Sequence, residues 1–264
     1  MNINMLAIVL KNGNDKLLGA LVLQKCKDFT VYLPDNNPAE ADYEAQLTFM
    51  HGNWQNTQEP LTCILEEGAL PGPDFVGQIL RTAKKHPEFQ EYHVNLEGQK
   101  AFPKKADSKK IFRLALTDNL DAPLSSFVFQ SSALRDKAVT KADGSLDPFP
   151  TILSCAPARN VSGLELPWTA ADKGNDPAAG EKSVHNQLEM LRWTEGYFGD
   201  DDYPLSVGDQ LKLICQELAK LYPSYTADEL KEKLYEFEVT RKPIRKLRAS
   251  CALKKAIKAR EKAL

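Results

Sequence analysis

Apolar residues gather in short runs along the first half of the chain and recur at helical spacing along its last third. Met5–Leu10, Leu17–Gln24 and Phe29–Leu33 read as strands bounded by turn-forming residues. Between the first two lies Asn12-Gly13-Asn14-Asp15, which predicts a hairpin. Leu47–Met50, Leu61–Glu66, Tyr92–Leu96, Ile111–Leu116 and Ser126–Gln130 are further strand candidates. One helix interrupts them: Phe75, Val76, Ile79 and Leu80 share a face, Asp74 stands at the cap and His86-Pro87 ends the pattern. Strands around one clear helix predict an α+β domain with a mixed or antiparallel sheet.

From Asp136 to Gly180 the pattern breaks up around Pro148, Pro150, Pro157, Pro167 and Pro177, with a short strand expected at Thr151–Ser154. The small, polar stretch Thr169–Gly180 reads as a linker. Beyond it the spacing turns helical. Ser183–Phe198 aligns Val184, Leu188, Leu191 and Phe198, and Ser206–Leu221 aligns Val207, Leu211, Ile214, Leu218 and Leu221. Thr226-Ala227-Asp228-Glu229 fits a capping box and starts a short helix, and Pro243 opens a last one. The organisation that follows is an α+β domain over 1–168, a linker over 169–182 and a helical C-terminal region over 183–264.

Composition agrees with a folded chain, since 42% of the residues are apolar and 27% charged, close to the globular average. The cysteines, Cys26, Cys63, Cys155, Cys215 and Cys251, are widely spaced and form no C-x-x-C pair. That spacing argues against a zinc ribbon or a redox motif and for free thiols in a reducing compartment. The run Met5–Leu10 is too short for a signal-peptide core or a membrane span. The expectation is a soluble, cytoplasmic protein.

Charge changes the picture most. The net charge is −2, but residues 240–264 hold ten Lys/Arg and one acidic residue, Glu261, for +9. The rest of the chain holds 24 Lys/Arg against 35 Asp/Glu, for −11. A basic terminal helix can neutralise phosphates and release their counterions, which gives salt-sensitive binding to nucleic acid. It can equally dock on the acidic body, stand as a solvated face, or meet an acidic partner protein. No aromatic residue is present in the segment to anchor it in a membrane. Lys104, Lys105, Lys109, Lys110 and Arg113 form a second basic cluster that could extend a phosphate-binding surface.

Catalytic motifs are few. There is no nucleophile elbow, phosphate loop, dinucleotide fingerprint or zinc-protease motif. His51, His86, His93 and His185 are scattered, and Asp200-Asp201-Asp202 reads as a solvated turn without calcium-loop spacing. Cys155 sits at the end of an expected strand, where a nucleophile could stand but a buried thiol is commoner. Gly163-Leu164-Glu165-Leu166-Pro167, with Asp147 upstream, resembles part of the PD-(D/E)xK nuclease motif in its phage-exonuclease form. Pro167 stands where that motif needs its lysine, so the resemblance implies a dead or rebuilt site.

These readings lead to a non-enzymatic, nucleic-acid-associated protein, DNA- or RNA-binding, within a larger assembly. Its expected contacts are Arg241, Lys242, Arg245, Lys246, Arg248, Lys254, Lys255 and Lys258. The alternatives are a protein–protein assembly component and an enzyme whose site is dispersed along the sequence. No cofactor, metal or membrane partner is expected.

Overall fold

Where a hairpin was expected, Asn14 instead caps a helix. Its Oδ1 accepts the Leu17 N–H at 2.9 Å and starts α1 (Asp15–Val22). Leu17, Leu18 and Leu21 then fall on one buried face. The helix is a crossover, so β1 (Leu6–Leu10) and β2 (Phe29–Leu33) pair in parallel, with Leu6 opposite Phe29 and Val9 opposite Tyr32. The computed structural model describes residues 3–11, 14–34, 38–98, 101–117, 123–142, 144–167, 197–198, 215–216, 218–219, 222–236 and 251–259. The chain divides into two compact units, Met1–Ala171 and Asp172–Leu264.

The first unit is built on one sheet. To β1 and β2 it adds β3 (Phe49–His51), β4 (Leu61–Leu65), β5 (Glu91–Leu96), β6 (Lys105–Ala106), β7 (Phe127–Gln130) and β8 (Ala158–Leu166). Their order is β3-β2-β1-β4-β7-β5-β8-β6. β1 to β5 and β8 run one way, while β6 and β7 run against them. The sheet is therefore mixed, and with its helices it is the α+β arrangement expected. β1, β2, β4 and nearly all of β5 are buried along their whole length.

Each face has its own helices. Leu17, Leu21 of α1 and Phe75, Val76, Ile79 of α2 (Phe75–Lys85) form one cluster with Leu6, Ile8, Val31, Cys63, Tyr92 and Val94. Burying each such side chain stabilises the fold by about 1.5–3 kcal/mol. α2 starts without a side-chain bond from Asp74. Gln24, 2% exposed, does that work from the end of α1: its Oε1 accepts the Val76 N–H at 3.1 Å and its Nε2 donates to the Gly72 carbonyl at 2.8 Å.

The residues of opposite parity, among them Thr62, Phe127 and Phe129, are also buried. α4 (Ser131–Lys137) packs on β4 and β7, and on α5 (Pro148–Cys155), which also meets α3 (Ser108–Thr117). The strands expected at Ile111–Leu116 and Thr151–Ser154 are thus helices. Asp107 Oδ1 accepts the Lys110 N–H at 2.8 Å at the start of α3, and α5 begins on a proline. β8 lies in the stretch expected to be irregular. Its bulge explains why: Asn160 pairs with His93 but Glu165 with Asn95, and Gly163 sits between them at φ 76°.

In the second unit α6 (Ala227–Glu236) opens with the expected capping box. The Thr226 N–H donates to Glu229 Oε2 at 2.7 Å, and the Glu229 N–H donates to Thr226 Oγ1 at 3.4 Å. Residues 251–259 are helical too. Most of the expected helices at Ser183–Phe198 and Ser206–Leu221, the linker 169–182 and the helix start at Pro243 lie outside the described residues. Among the described residues no helix is long and apolar enough to cross a membrane.

Candidate functional site

Open parallel sheets bind ligands outside the carboxyl ends of their strands, at the point where strand order reverses. Here the chain runs outward through β1, β2 and β3, then returns to place β4 on the other side of β1. The reversal therefore lies between β1 and β4. Leu10 and Leu65 are paired partners, so Lys11 and Glu66 leave the sheet side by side.

The backbone around that point is pinned. The Glu66 N–H donates to Ser125 Oγ at 2.8 Å, from the turn Leu124–Ser126 that enters β7. The Glu66 carbonyl accepts the Ala69 N–H at 2.9 Å, and the Leu70 N–H reaches the Pro167 carbonyl at 3.1 Å. The ends of β5 and β8 join the same edge, where the Glu97 N–H donates to the Leu166 carbonyl at 3.0 Å. Lys11, Glu67 and Glu97 are exposed and Glu66 is half-buried. The edge thus offers one cation beside β1 and carboxylates beside β4 and β5. Glu66 and Glu67 can share a hard divalent ion with a ligand's phosphates, because such ions often take few protein carboxylates and complete their shell elsewhere. Among the described residues no group of three His, Cys, Asp or Glu side chains is assembled to hold a metal by itself.

The strongest departures in acidity lie elsewhere. Glu91 and His93 alternate along β5, are 0% and 3% exposed, and have no hydrogen-bond partner for their side-chain atoms. Burial holds the Glu91 carboxyl well above the usual range, only partly offset by Lys137. Burial brings the His93 imidazole down to about 3. His93 stacks on Phe102 at 4.1 Å and meets the edge of Phe127 at 4.6 Å. Both groups are sealed in the core, and burial favours the neutral form of each.

The residues singled out from sequence scatter. Cys155 is fully buried, its Sγ 3.8 Å from the Ala133 carbonyl, and burial with Glu91 nearby pushes its thiol up to about 12. It is a structural thiol and not a nucleophile. His51 ends the outermost strand and pairs with Glu40 at 3.6 Å. His185 and Asp200–Asp202 lie outside the described residues. Glu165 is an exposed position of β8 and Asp147 precedes α5.

Of the expected basic contacts, Arg241, Lys242, Arg245, Lys246 and Arg248 lie outside the described residues. Lys254, Lys255 and Lys258 are exposed on the helix 251–259, whose opposite side buries Leu253 and Ala256. They border a cavity of about 470 Å³ with Ala227, Cys251 and Ile257.

The sheet and its coverings define a Rossmann-like fold, the doubly wound class in which a ligand sits at the strand-order reversal. No protein-family model and no curated protein matches the sequence. Solved structures do share the fold. Staphylococcus aureus TarS, residues 1–349 in complex with UDP, is similar over 98% of this chain and 92% of that one, with a TM-score of 0.54 at 8% identity. The same protein in complex with UDP-GlcNAc is similar over 97% of this chain and 81% of that one, with a TM-score of 0.51 at 11% identity.

This overturns the expectation of a non-enzymatic DNA- or RNA-binding protein. The fold is shared with a protein solved with a nucleotide and a nucleotide sugar, and the basic segment that suggested nucleic acid includes a packed helix with a solvated lysine face.

Proposed function

We propose that the chain binds a nucleoside diphosphate sugar at the carboxyl edge between β1 and β4 and transfers the sugar to an acceptor. The observation that carries this reading is the likeness, over nearly the whole chain, to TarS in complex with UDP and with UDP-GlcNAc. The pair of ligands is informative chemically, because UDP is what remains when UDP-GlcNAc gives up its sugar.

Such a transfer needs the diphosphate's growing charge to be stabilised as the glycosidic bond breaks. Lys11 and a divalent ion shared with Glu66 and Glu67 would do this at the proposed site. The Glu66 N–H bond to Ser125 Oγ and the Leu70 N–H bond to the Pro167 carbonyl tie the loop after β4 to neighbouring elements. A cytoplasmic location belongs to the same reading, and the free cysteines fit a reducing compartment.

Calorimetric titration of the full chain with UDP, UDP-GlcNAc and uridine, with and without Mg²⁺ or Mn²⁺, tests it. UDP and UDP-GlcNAc are expected to bind, uridine far more weakly, and Glu66→Gln to weaken UDP binding about tenfold, which is about 1.4 kcal/mol. No binding of either nucleotide with either metal would contradict the proposal.

A further inference from the structure

At the opposite, amino edge of the sheet the structure gathers Arg81, Lys85, His86 and Arg159 around one cavity. We propose that the cavity between the end of α2 and the start of β8 binds a phosphate group, either as free phosphate or as a small phosphate monoester. Its volume is about 210 Å³, and its lining includes Arg81, Thr82, Lys85 and His86 of α2 and Arg159 and Ser162 of β8. Arg81 and Lys85 are one turn apart on the same helix face, where like charges repel. Glu88 meets His86 Nδ1 at 3.5 Å and answers part of this charge, and Asp74 meets Lys25 Nζ at 3.1 Å.

Arg159 gives the second, independent sign. Its guanidinium lies over the Phe89 ring, 5.5 Å from the centroid, and its Nε is buried with no acceptor. Lys105 stands over the same ring at 5.4 Å, which adds to the positive field. An anion in the cavity would sit beside the Arg159 guanidinium charge, accept from the hydroxyls of Thr82 and Ser162, and relieve the repulsion between Arg81 and Lys85. Arg159 is opposite Tyr92 near the start of β5, whereas the proposed nucleotide-sugar site lies past the ends of β1 and β4. The two sites are therefore on opposite edges.

The test is titration of the full chain with inorganic phosphate and with glycerol 3-phosphate, at ionic strength held constant with chloride. Binding is followed by calorimetry and by the thermal midpoint. Saturable binding is expected for wild type and for a Lys109→Ala/Lys110→Ala control. Arg81→Ala/Lys85→Ala, which alters two exposed residues, is expected to lose at least tenfold in affinity while its UDP binding is unchanged. Arg159→Lys keeps the charge but loses the fork and is expected to weaken binding as well. Tighter binding of glycerol 3-phosphate identifies a monoester ligand, and equal or weaker binding identifies the free anion. Wild type that responds no differently to phosphate than to chloride would overturn the proposal. So would wild-type affinity in Arg81→Ala/Lys85→Ala. Because UDP binding is read separately, either failure leaves the glycosyl-transfer reading standing.

Discussion

Glu91 and His93 make the stability of this protein depend on pH in a way that can be worked out in advance. Glu91 keeps its proton in the folded state well above the 4.5 at which the unfolded chain releases it. Above pH 4.5 the unfolded state thus binds fewer protons, and folding stability falls by about 1.4 kcal/mol per pH unit until the folded value is reached. His93 acts in the opposite sense. It stays neutral in the fold down to about 3, while the unfolded imidazole protonates below 6.5. Its contribution is full above pH 6.5 and is lost on acidification, by up to about 5 kcal/mol at pH 3. Above pH 4.5, as long as both act, the two slopes cancel. Stability is therefore expected to be level there, to fall below pH 4.5 through His93, and to fall above pH 6.5 through Glu91 as far as its folded value reaches.

Urea unfolding midpoints measured from pH 4 to pH 8 give the curve, with stability proportional to midpoint at constant slope. Glu91→Gln removes the falling limb. Its stability is expected to rise through pH 6.5 and then level, so that its advantage over wild type grows by about 1.4 kcal/mol per pH unit until the folded Glu91 value is reached. His93→Phe retains the stack on Phe102 and Phe127 and is expected to fall steadily from pH 4.5 upward. If Glu91→Gln and wild type ran parallel across the range, the claim that Glu91 is buried and protonated would be wrong.

Two further outcomes follow from the packing. Gln24→Leu removes the bonds that tie the end of α1 to the start of α2, and the orphaned Val76 N–H and Gly72 carbonyl are expected to cost about 2–4 kcal/mol in urea unfolding. In a thiol-reagent assay Cys26 and Cys251, half-buried and exposed, are expected to react in the native protein. Cys63, Cys155 and Cys215 are buried, with burial pushing each thiol up, and are expected to react only as the chain unfolds.

The sequence was most legible where one physical signal acted alone. Phe29–Leu33 is a fully buried run between turn residues and is the strand expected. Leu17–Val22 is also a continuous apolar run, and such runs do not separate strand from helix by periodicity. The deciding signal was Asn14, a helix cap that also fits a hairpin turn. β8 was hidden by its bulge, because Gly163 breaks the alternation. In β5 the polar positions Glu91, His93 and Asn95 alternate with apolar ones, and nothing in that alternation shows that Glu91 and His93 are buried. The candidate site was hidden for a different reason. Lys11 and Glu66 become neighbours only through the pairing of Leu10 with Leu65, and no local pattern announces a pairing over that separation. The charge run at 240–264 was conspicuous, but its net sum could not show that Leu253 and Ala256 bury one side of the helix.

The most direct test of the proposed function is to map UDP onto the protein by amide chemical-shift perturbation, in the presence of Mg²⁺. The account predicts that the largest changes cluster at Lys11, Asn14, Glu66, Glu67 and Ser125, the carboxyl edge between β1 and β4. Changes confined to the helix 251–259 or to the amino edge around Arg159, or no changes at all, would contradict it.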